Sequence, residues 1–382
     1  MIFLLTVAVW ALMILPDIYI YRRYVRKASS RPLKCLYWLP AAVLTLFLCL
    51  MPLVMRFADR NAIKDVTVGF FLVFLVISIP KLVFTLCSIL SGLLRTGVYG
   101  LVFSIAAGLF TMGYVLYGIV EGTHHFRLRS LSIAFDSLPK GFDGFRIVHI
   151  SDIHTGNWSG REKYLEEAVD IVNSQDADIV LITGDLVNNL ASETDEFMPL
   201  LKRLKSRYGI YSVLGNHDYG TYVRWDSEAD RERNLKSLIA KQEEMGWTML
   251  NNDNRILYCK GDSIMLAGVE NMGKPPFLDR GDLDRALKGS EGLFCILMSH
   301  DPSSWRERVV GKTDVQLTLS GHTHDMQVNI FGFSPSYFLY PEHNGLYKAD
   351  GQALFVNIGL GYVVPIRLGA WPEITVLELK CE

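Results

Sequence analysis

Asp152, His154, Asp185, Asn216, His217, His300, His322 and His324 are the residues of this 382-residue chain whose types and grouping suit chemistry. Five of the nine histidines fall in the set, beside two aspartates and an asparagine. A lone histidine is more often a hydrogen-bonded structural residue than a ligand. Repeated coincidence of imidazole and carboxylate is different, and matches the donors preferred by Mn, Fe or Zn. Eight such groups, with one carboxylate bridging, suffice for two divalent ions and leave positions open for water and substrate. Two ions about 3.5–4 Å apart can clamp a phosphoryl group and generate hydroxide near neutral pH.

The elements that must position these residues are short apolar runs, each ending just before a ligand-type group. Phe145–Ile150 precedes Ser151-Asp152-Ile153-His154, Ile179–Ile182 precedes Gly184-Asp185, and Tyr211–Leu214 precedes Gly215-Asn216-His217-Asp218. Leu293–Met298 precedes Ser299-His300, and Val315–Leu319 precedes Gly321-His322-Thr323-His324. Arg161–Asn173 has helical spacing through Tyr164, Ala168, Ile171 and Val172. Strands alternating with helical stretches predict an α/β fold with a largely parallel core sheet. Ligands in such sheets gather beyond the carboxyl ends of the strands, so the five loops are expected to converge on one rim. The charged stretch Ser227–Glu244, with Leu235, Leu238 and Ile239 at helical spacing, reads as a surface helix.

The first part of the chain has a different texture. Half of all residues are hydrophobic, and the excess lies before residue 122. Ile2–Tyr19, Leu36–Met55, Val66–Leu90 and Val98–Val120 each approach the roughly 20 apolar residues needed to cross a bilayer. The expected organisation is therefore a transmembrane domain of about four helices over 1–121 and a catalytic domain over 122–382. Tyr21–Lys34 carries Arg22, Arg23, Arg26, Lys27, Arg31 and Lys34 and no acid, which assigns it to the cytoplasmic side. This charge follows the first apolar run instead of preceding it, so residues 1–20 read as a retained helix and not a signal peptide. Four crossings then place the catalytic domain outside the cytoplasm, with a bacterial cytoplasmic membrane as the expected location. Arg56, Arg60, Lys64, Arg127, Arg129 and Lys140 weigh against this orientation, and Arg95 supports it. Lys81, after Pro80 inside the third span, either meets an anionic partner in the bundle or snorkels to an interface. The net charge of −2 offers no basic field for nucleic acid, and the six cysteines share no disulfide or metal-like spacing.

Taken in order, Asp-x-His, Gly-Asp, Gly-Asn-His-Asp, Ser-His and Gly-His-Thr-His resemble the signature of the calcineurin-like metallophosphoesterase superfamily, over about residues 145–380. Leu138-Pro139, Gly144-Phe145, Gly359-Leu360-Gly361, Pro365-Ile366-Arg367 and Pro372-Glu373-Ile374 resemble a bacterial membrane-associated phosphohydrolase group within it. The resemblance implies a two-sheet sandwich flanked by helices, with a dinuclear centre at its top. It assigns Asp152, His154 and His324 to one metal, Asn216, His300 and His322 to the other, and Asp185 to the bridge. His217 is then a proton donor to the leaving oxygen, a role that suits imidazole. Asn188 stands where relatives carry an aspartate that orients this histidine, and its amide oxygen is expected to accept the imidazole N–H. Asp325-Met326 stands where the membrane group has Gly-Gly, at the expected substrate rim.

These readings predict a membrane-anchored phosphoesterase, its substrate a mono-, diester or pyrophosphate that is amphiphilic or lipid-linked. The linker Glu121–Phe126 is too short to let the domain roam from the bilayer. Arg367 is a candidate phosphate fork or a structural ion pair, and His343 a candidate substrate contact. His124-His125 reads as interfacial. A sugar-nucleotide pyrophosphatase fed from the cytoplasm and a non-catalytic metal-stabilised module on a transporter-like bundle are the alternatives. Oligomeric state is left open.

Overall fold

Apolar runs too long for a soluble core become helices in the first 120 residues of the computed structural model, which describes residues 2–27, 30–57 and 60–382. These helices are α1 (Ile2–Ile20), α2 (Arg31–Phe57), α3 (Arg60–Leu93) and α4 (Gly97–Val120). Among the described residues three segments are long and apolar enough to cross a membrane: Arg31–Met51, Val66–Leu93 and Gly97–Val120. The other expected span, Ile2–Tyr19, is the 19-residue helix α1, whose opening side chains lie outside the described residues. Small residues let α3 and α4 approach closely: a Cβ added at Gly108 would stand 3.3 Å from the carbonyl oxygen of Pro80. Lys81 has the anionic partner that one reading required. Its Nζ lies 2.8 Å from Oδ1 of Asp17, and the Tyr37 hydroxyl donates to the same oxygen at 2.9 Å. Asp17 is thus a second charge inside the bundle beside Lys81, and pairing lowers the cost of both.

The chain divides into two units, Met1–Glu121 with Val364–Ile366, and Gly122–Val363 with Arg367–Glu382. In the second, short apolar runs, some continuous and some alternating, build twelve strands. They are β1 (Arg127–Phe135), β2 (Arg146–Ile150), β3 (Ile179–Thr183), β4 (Ile210–Val213), β5 (Thr248–Met249) and β6 (Asp253–Cys259). They continue with β7 (Asp262–Gly268), β8 (Phe294–Met298), β9 (Val315–Ser320), β10 (Gly345–Ala349), β11 (Gln352–Val356) and β12 (Glu373–Cys381). One sheet has the order β1-β12-β2-β3-β4-β5 and the other β10-β11-β9-β8-β7-β6. The helices are α5 (Glu162–Asn173), α6 (Met198–Leu201), α7 (Glu228–Glu244) and α8 (Leu283–Ala286).

Alternation along each strand decides which layer a side chain joins. Ile147, Ile179, Leu181 and Val213 meet Ile264, Leu266, Ile296, Met298, Leu319 and Phe355 in the core between the sheets. Val148, Ile150, Val180 and Ile182 face outward onto Leu165, Val169 and Val172 of α5. Leu238 of α7 is fully buried in the same layer, so this charged helix is anchored as well as solvated. Cys295 and Leu297 pack outward with Ala286 and Trp305. Cys295 pairs with Val315 and Ile296 with Leu317, leaving Gln316 as an extra residue in β9. That bulge restores the apolar phase, so Val315 faces one layer and Leu317 and Leu319 the other. The largely parallel pairing expected from sequence is present in both sheets, which are mixed only through β12 with β2, β6 with β7 and β10 with β11, each pair antiparallel.

Candidate metal centre

Parallel pairing of β2, β3 and β4 in one sheet and of β8 and β9 in the other brings five carboxyl-end loops together. The backbone in those loops is unusual. Asp152, His154, Asp185, His322 and His324 have φ of 50°, 49°, 54°, 72° and 47°, a left-handed conformation that costs an L-residue roughly 1–2 kcal/mol. Strain of this kind persists where surrounding contacts over-determine it, and such positions cluster at functional sites. The motif glycines let the loops interlock. A Cβ on Gly215 would stand 2.2 Å from Oδ1 of Asp185, and one on Gly321 1.8 Å from Oγ of Ser151 and 2.4 Å from Oδ2 of Asp152.

Hydrogen bonds behind each ring select the nitrogen that faces inward. His300 Nδ1 donates to the Thr183 carbonyl at 2.7 Å and His154 Nδ1 to the Val187 carbonyl at 3.2 Å, so both present Nε2. Nε2 of His322 shares a 2.8 Å hydrogen bond with the Tyr340 hydroxyl, which leaves Nδ1 facing inward. Asn216 donates from Nδ2 to the Tyr222 hydroxyl at 2.8 Å, which turns its oxygen inward.

The inward atoms form adjoining clusters. Nε2 of His324 lies 3.2 Å from Nε2 of His154 and 3.3 Å from Oδ1 of Asp152. Nε2 of His300 lies 3.0 Å from Oδ1 of Asn216, 3.2 Å from Oδ2 of Asp185 and 3.3 Å from Nδ1 of His322. Asp185 Oδ2 also stands 3.9 Å from Nε2 of His154, between the two groups. Three triads place a donor atom from each residue within 4.8 Å of the others: Asp152–His154–His324, Asp185–His300–His322 and His154–Asp185–His217.

The electrostatics are those of a cation site. Burial disfavours the Asp152 carboxylate, but the imidazoles of His324, His300 and His154 outweigh it and hold its pKa well below the ordinary value. Asp185 is likewise held low by His300 and His217 against its own burial. Burial, with the charge of His217, pushes His154 down to about 3. Burial also works against imidazolium at His300, yet the charge and hydrogen bond of Asp185, with Asp152, raise it to about 10. The fit to a metal rests on a further observation. Oδ1 of Asp152 is buried without a hydrogen-bond partner among the described residues, facing Nε2 of His324 at 3.3 Å. Buried polar atoms are rarely left so.

The family comparisons agree with this geometry. A model described as "Calcineurin-like phosphoesterase" matches residues 145–326, and one described as "Probable Calcineurin-like phosphoesterase, transmembrane domain" matches residues 1–123. An uncharacterized metallophosphoesterase of Bacillus subtilis, YkuE, is 31% identical over 304 residues, 74% of this chain and 95% of its own. The chain belongs to the calcineurin-like metallophosphoesterases. It is a membrane protein by the match over residues 1–123 and by the three helices among the described residues that are long and apolar enough to cross a bilayer. Relatives called "Transmembrane protein with metallophosphoesterase domain" are 32% identical in Danio rerio, over 72% of this chain, and 31% in Bos taurus, over 69%. The matches span 62% and 59% of those longer relatives.

Not every expected residue lies where its role required. His217 is half-buried beside the clusters, its ring 4.9 Å from that of His154 and 4.5 Å from that of Tyr222. Its Nδ1 donates at 2.8 Å to Asn188, but to the backbone carbonyl, whereas the Asn188 amide donates to Oδ1 of Asn157. The expected side-chain contact is therefore corrected; any residue at 188 could offer that carbonyl. Arg367 is not a phosphate fork. It is fully buried, donating to the carbonyls of Ile358, Gly359, Gly361 and Ala370, with Nη2 3.0 Å from Nδ1 of His324. This cage occupies its donors, and burial lowers its pKa to about 10. His343 stays at the rim, its Nδ1 donating to the Tyr340 carbonyl at 3.0 Å and its Nε2 3.7 Å from Asp325. His124 stacks on Tyr164 at 3.7 Å.

Sequence reasoning gave no role to Asp218, which closes the quoted Gly-Asn-His-Asp motif. It is buried, and its carboxylate accepts backbone N–H groups from Asp185, Gly215 and Val187 at 2.9, 2.8 and 3.2 Å, tying two ligand loops together. Burial and the charge of Asp185 push its pKa up to about 7. Tyr222 and Tyr340, which orient Asn216 and His322, carried no signal beyond their types.

Proposed function

We propose that the chain hydrolyses a phosphate ester at a membrane surface with two divalent cations, Mn, Fe or Zn, on the extracytoplasmic side. The observation that carries this reading is the pair of donor clusters meeting at Asp185, with His217 at their edge. Asp152, His154 and His324 would hold one cation, Asn216, His300 and His322 the other, with Asp185 serving both. Cations bound there would supply Lewis acidity and a nucleophile near neutral pH. The protein's own part is orientation and proton transfer. Hydrogen bonds from behind fix each imidazole, so little reorganisation is needed during reaction. His217 keeps Nδ1 on the Asn188 carbonyl, which leaves Nε2 to give a proton to the departing oxygen. Tethering to a bilayer favours an amphiphilic or lipid-linked ester over a soluble one.

Elemental analysis combined with hydrolysis of p-nitrophenyl phosphate and bis-p-nitrophenyl phosphate tests the proposal. The wild type is expected to hold two ions per chain and turn over at least one ester. Asp185→Asn should hold at most one ion and be inactive. His217→Ala should keep both ions and lose about 10²–10⁴ in turnover, the scale of a general acid. Loss of an ion from His217→Ala would make His217 a ligand. A metal-loaded wild type inert towards every ester would support the non-catalytic module instead.

A further inference from the structure

Directly after the last ligand-type residue, His324, the chain makes a loop that is inside out. The fourteen residues Met326–Leu339 contain no charged side chain. Their polar groups turn inward onto the buried Asp325: Asn329 donates to Oδ2 at 2.6 Å and the Ser334 hydroxyl to the carbonyl oxygen at 2.8 Å. Asn344 donates to the same carboxylate at 2.8 Å. The apolar groups point out. Phe331 is fully exposed, Phe338 is 74% exposed, and Met326, Ile330, Phe333, Tyr337 and Leu339 are exposed beside them.

The tip is a two-residue hairpin in which Ile330 and Phe333 exchange backbone hydrogen bonds of 2.9 and 3.1 Å around Phe331-Gly332. Both central residues have positive φ, 54° and 85°, in a turn that ordinarily selects Asn-Gly. A phenylalanine there is strained and meets no packing that would offset the strain. The aromatic rings hold one another, Phe333 to Phe338 at 6.1 Å and Tyr337 to Phe338 at 5.9 Å. The loop ends at Tyr340, whose hydroxyl bonds His322.

We propose that Met326–Leu339 enters the headgroup layer of a lipid bilayer and so brings the metal centre to phosphate at the membrane surface, a role that rests on the phosphoesterase reading above. Aromatic side chains with apolar bodies and scattered polar edges suit the bilayer interface. Patches of this kind on soluble surfaces mark binding sites, but a protein interface ordinarily carries a polar rim, and this stretch has none. The same chain also carries helices that can cross a bilayer.

The test uses the full chain in phosphatidylcholine–phosphatidylglycerol vesicles, its six cysteines replaced by alanine. An environment-sensitive fluorophore is placed at Phe338→Cys or, as control, at Tyr258→Cys, 70% exposed on β6. The Phe338 label is expected to emit to the blue and to be quenched by spin-labelled lipid at least threefold more than the control. Equal quenching at the two sites overturns the proposal. So does a blue shift that lipid quenchers leave untouched, which would mean contact with a second copy. In a second arm with native cysteines, Phe331→Ser/Phe338→Ser should lower turnover of vesicle-borne phosphatidic acid at least tenfold and leave p-nitrophenyl phosphate hydrolysis within twofold. If no ester is hydrolysed by any form, the phosphoesterase reading fails, while the depth measurement still decides the loop.

Discussion

The proton on His300 sets the terms on which a cation enters the centre. Its pKa of about 10, against an ordinary 6.5, means that the metal-free chain carries imidazolium there at neutral pH. A ligand must be deprotonated, so loading releases that proton and affinity rises with pH. The same shift makes a stability statement. The folded value is raised, so the contribution is fully present below about pH 6.5 and is lost as pH climbs through about 10. Calorimetric titration of chelator-treated protein with Mn or Zn at pH 7, in buffers of different ionisation enthalpy, should register about one proton released per chain. No release would show that His300 is already neutral. The ligand-type residues were legible in sequence because imidazole and carboxylate donors at five strand ends are too many to be accidental. Their inward nitrogens were not, because Thr183, Val187 and Tyr340 select them from behind. The burial of Arg367 was hidden too, since its partners are backbone carbonyls that no sequence spells out.

At the scale of elements, the loops interlock tightly enough that one methyl group should empty the centre. Gly321→Ala pushes a Cβ into the buried side chains of Ser151 and Asp152, so the Asp152 carboxylate must leave its place. The variant is expected to keep the far-ultraviolet circular dichroism of the wild type and to bind less than one ion per chain. Two ions bound would show that the loop can relax. The strands that carry ligands were legible because each is a buried apolar run ending in a polar turn. The rest of both sheets was not. β12 reads Glu373-Ile-Thr-Val-Leu-Glu-Leu-Lys-Cys381, alternating like a half-exposed edge, yet it lies between β1 and β2. Its first two polar residues, Glu373 and Thr375, are buried by local pairing, the Thr375 hydroxyl donating to Glu373 at 2.9 Å and Asn357 to Thr375 at 3.0 Å. Alternation is a guide to exposure only where polar groups lack such partners.

For the molecule as a whole, the proposed orientation, with Arg22–Lys34 in the cytoplasm, predicts a catalytic unit outside it. A cysteine at the exposed turn residue Glu291, in a cysteine-free background, should react with an impermeant maleimide in intact cells. Reaction only after lysis would place the unit in the cytoplasm and make a nucleotide-linked lipid precursor the better substrate.

The position of β12 bears on how such a molecule is made. β1 and β2 are close in the sequence, yet each forms its ladder with β12, which follows every other strand; Arg127 is in register with Glu373. During synthesis both strands must therefore wait with open edges while more than two hundred further residues emerge, a long-range closure of the kind that slows folding and invites aggregation. A ribosome that stalls before Glu373 leaves a chain with every metal-type residue already made but no closed sheet beneath them. The cell's proteases then meet an unpaired β1 and an open edge on β2, both of which β12 fills in the finished sheet.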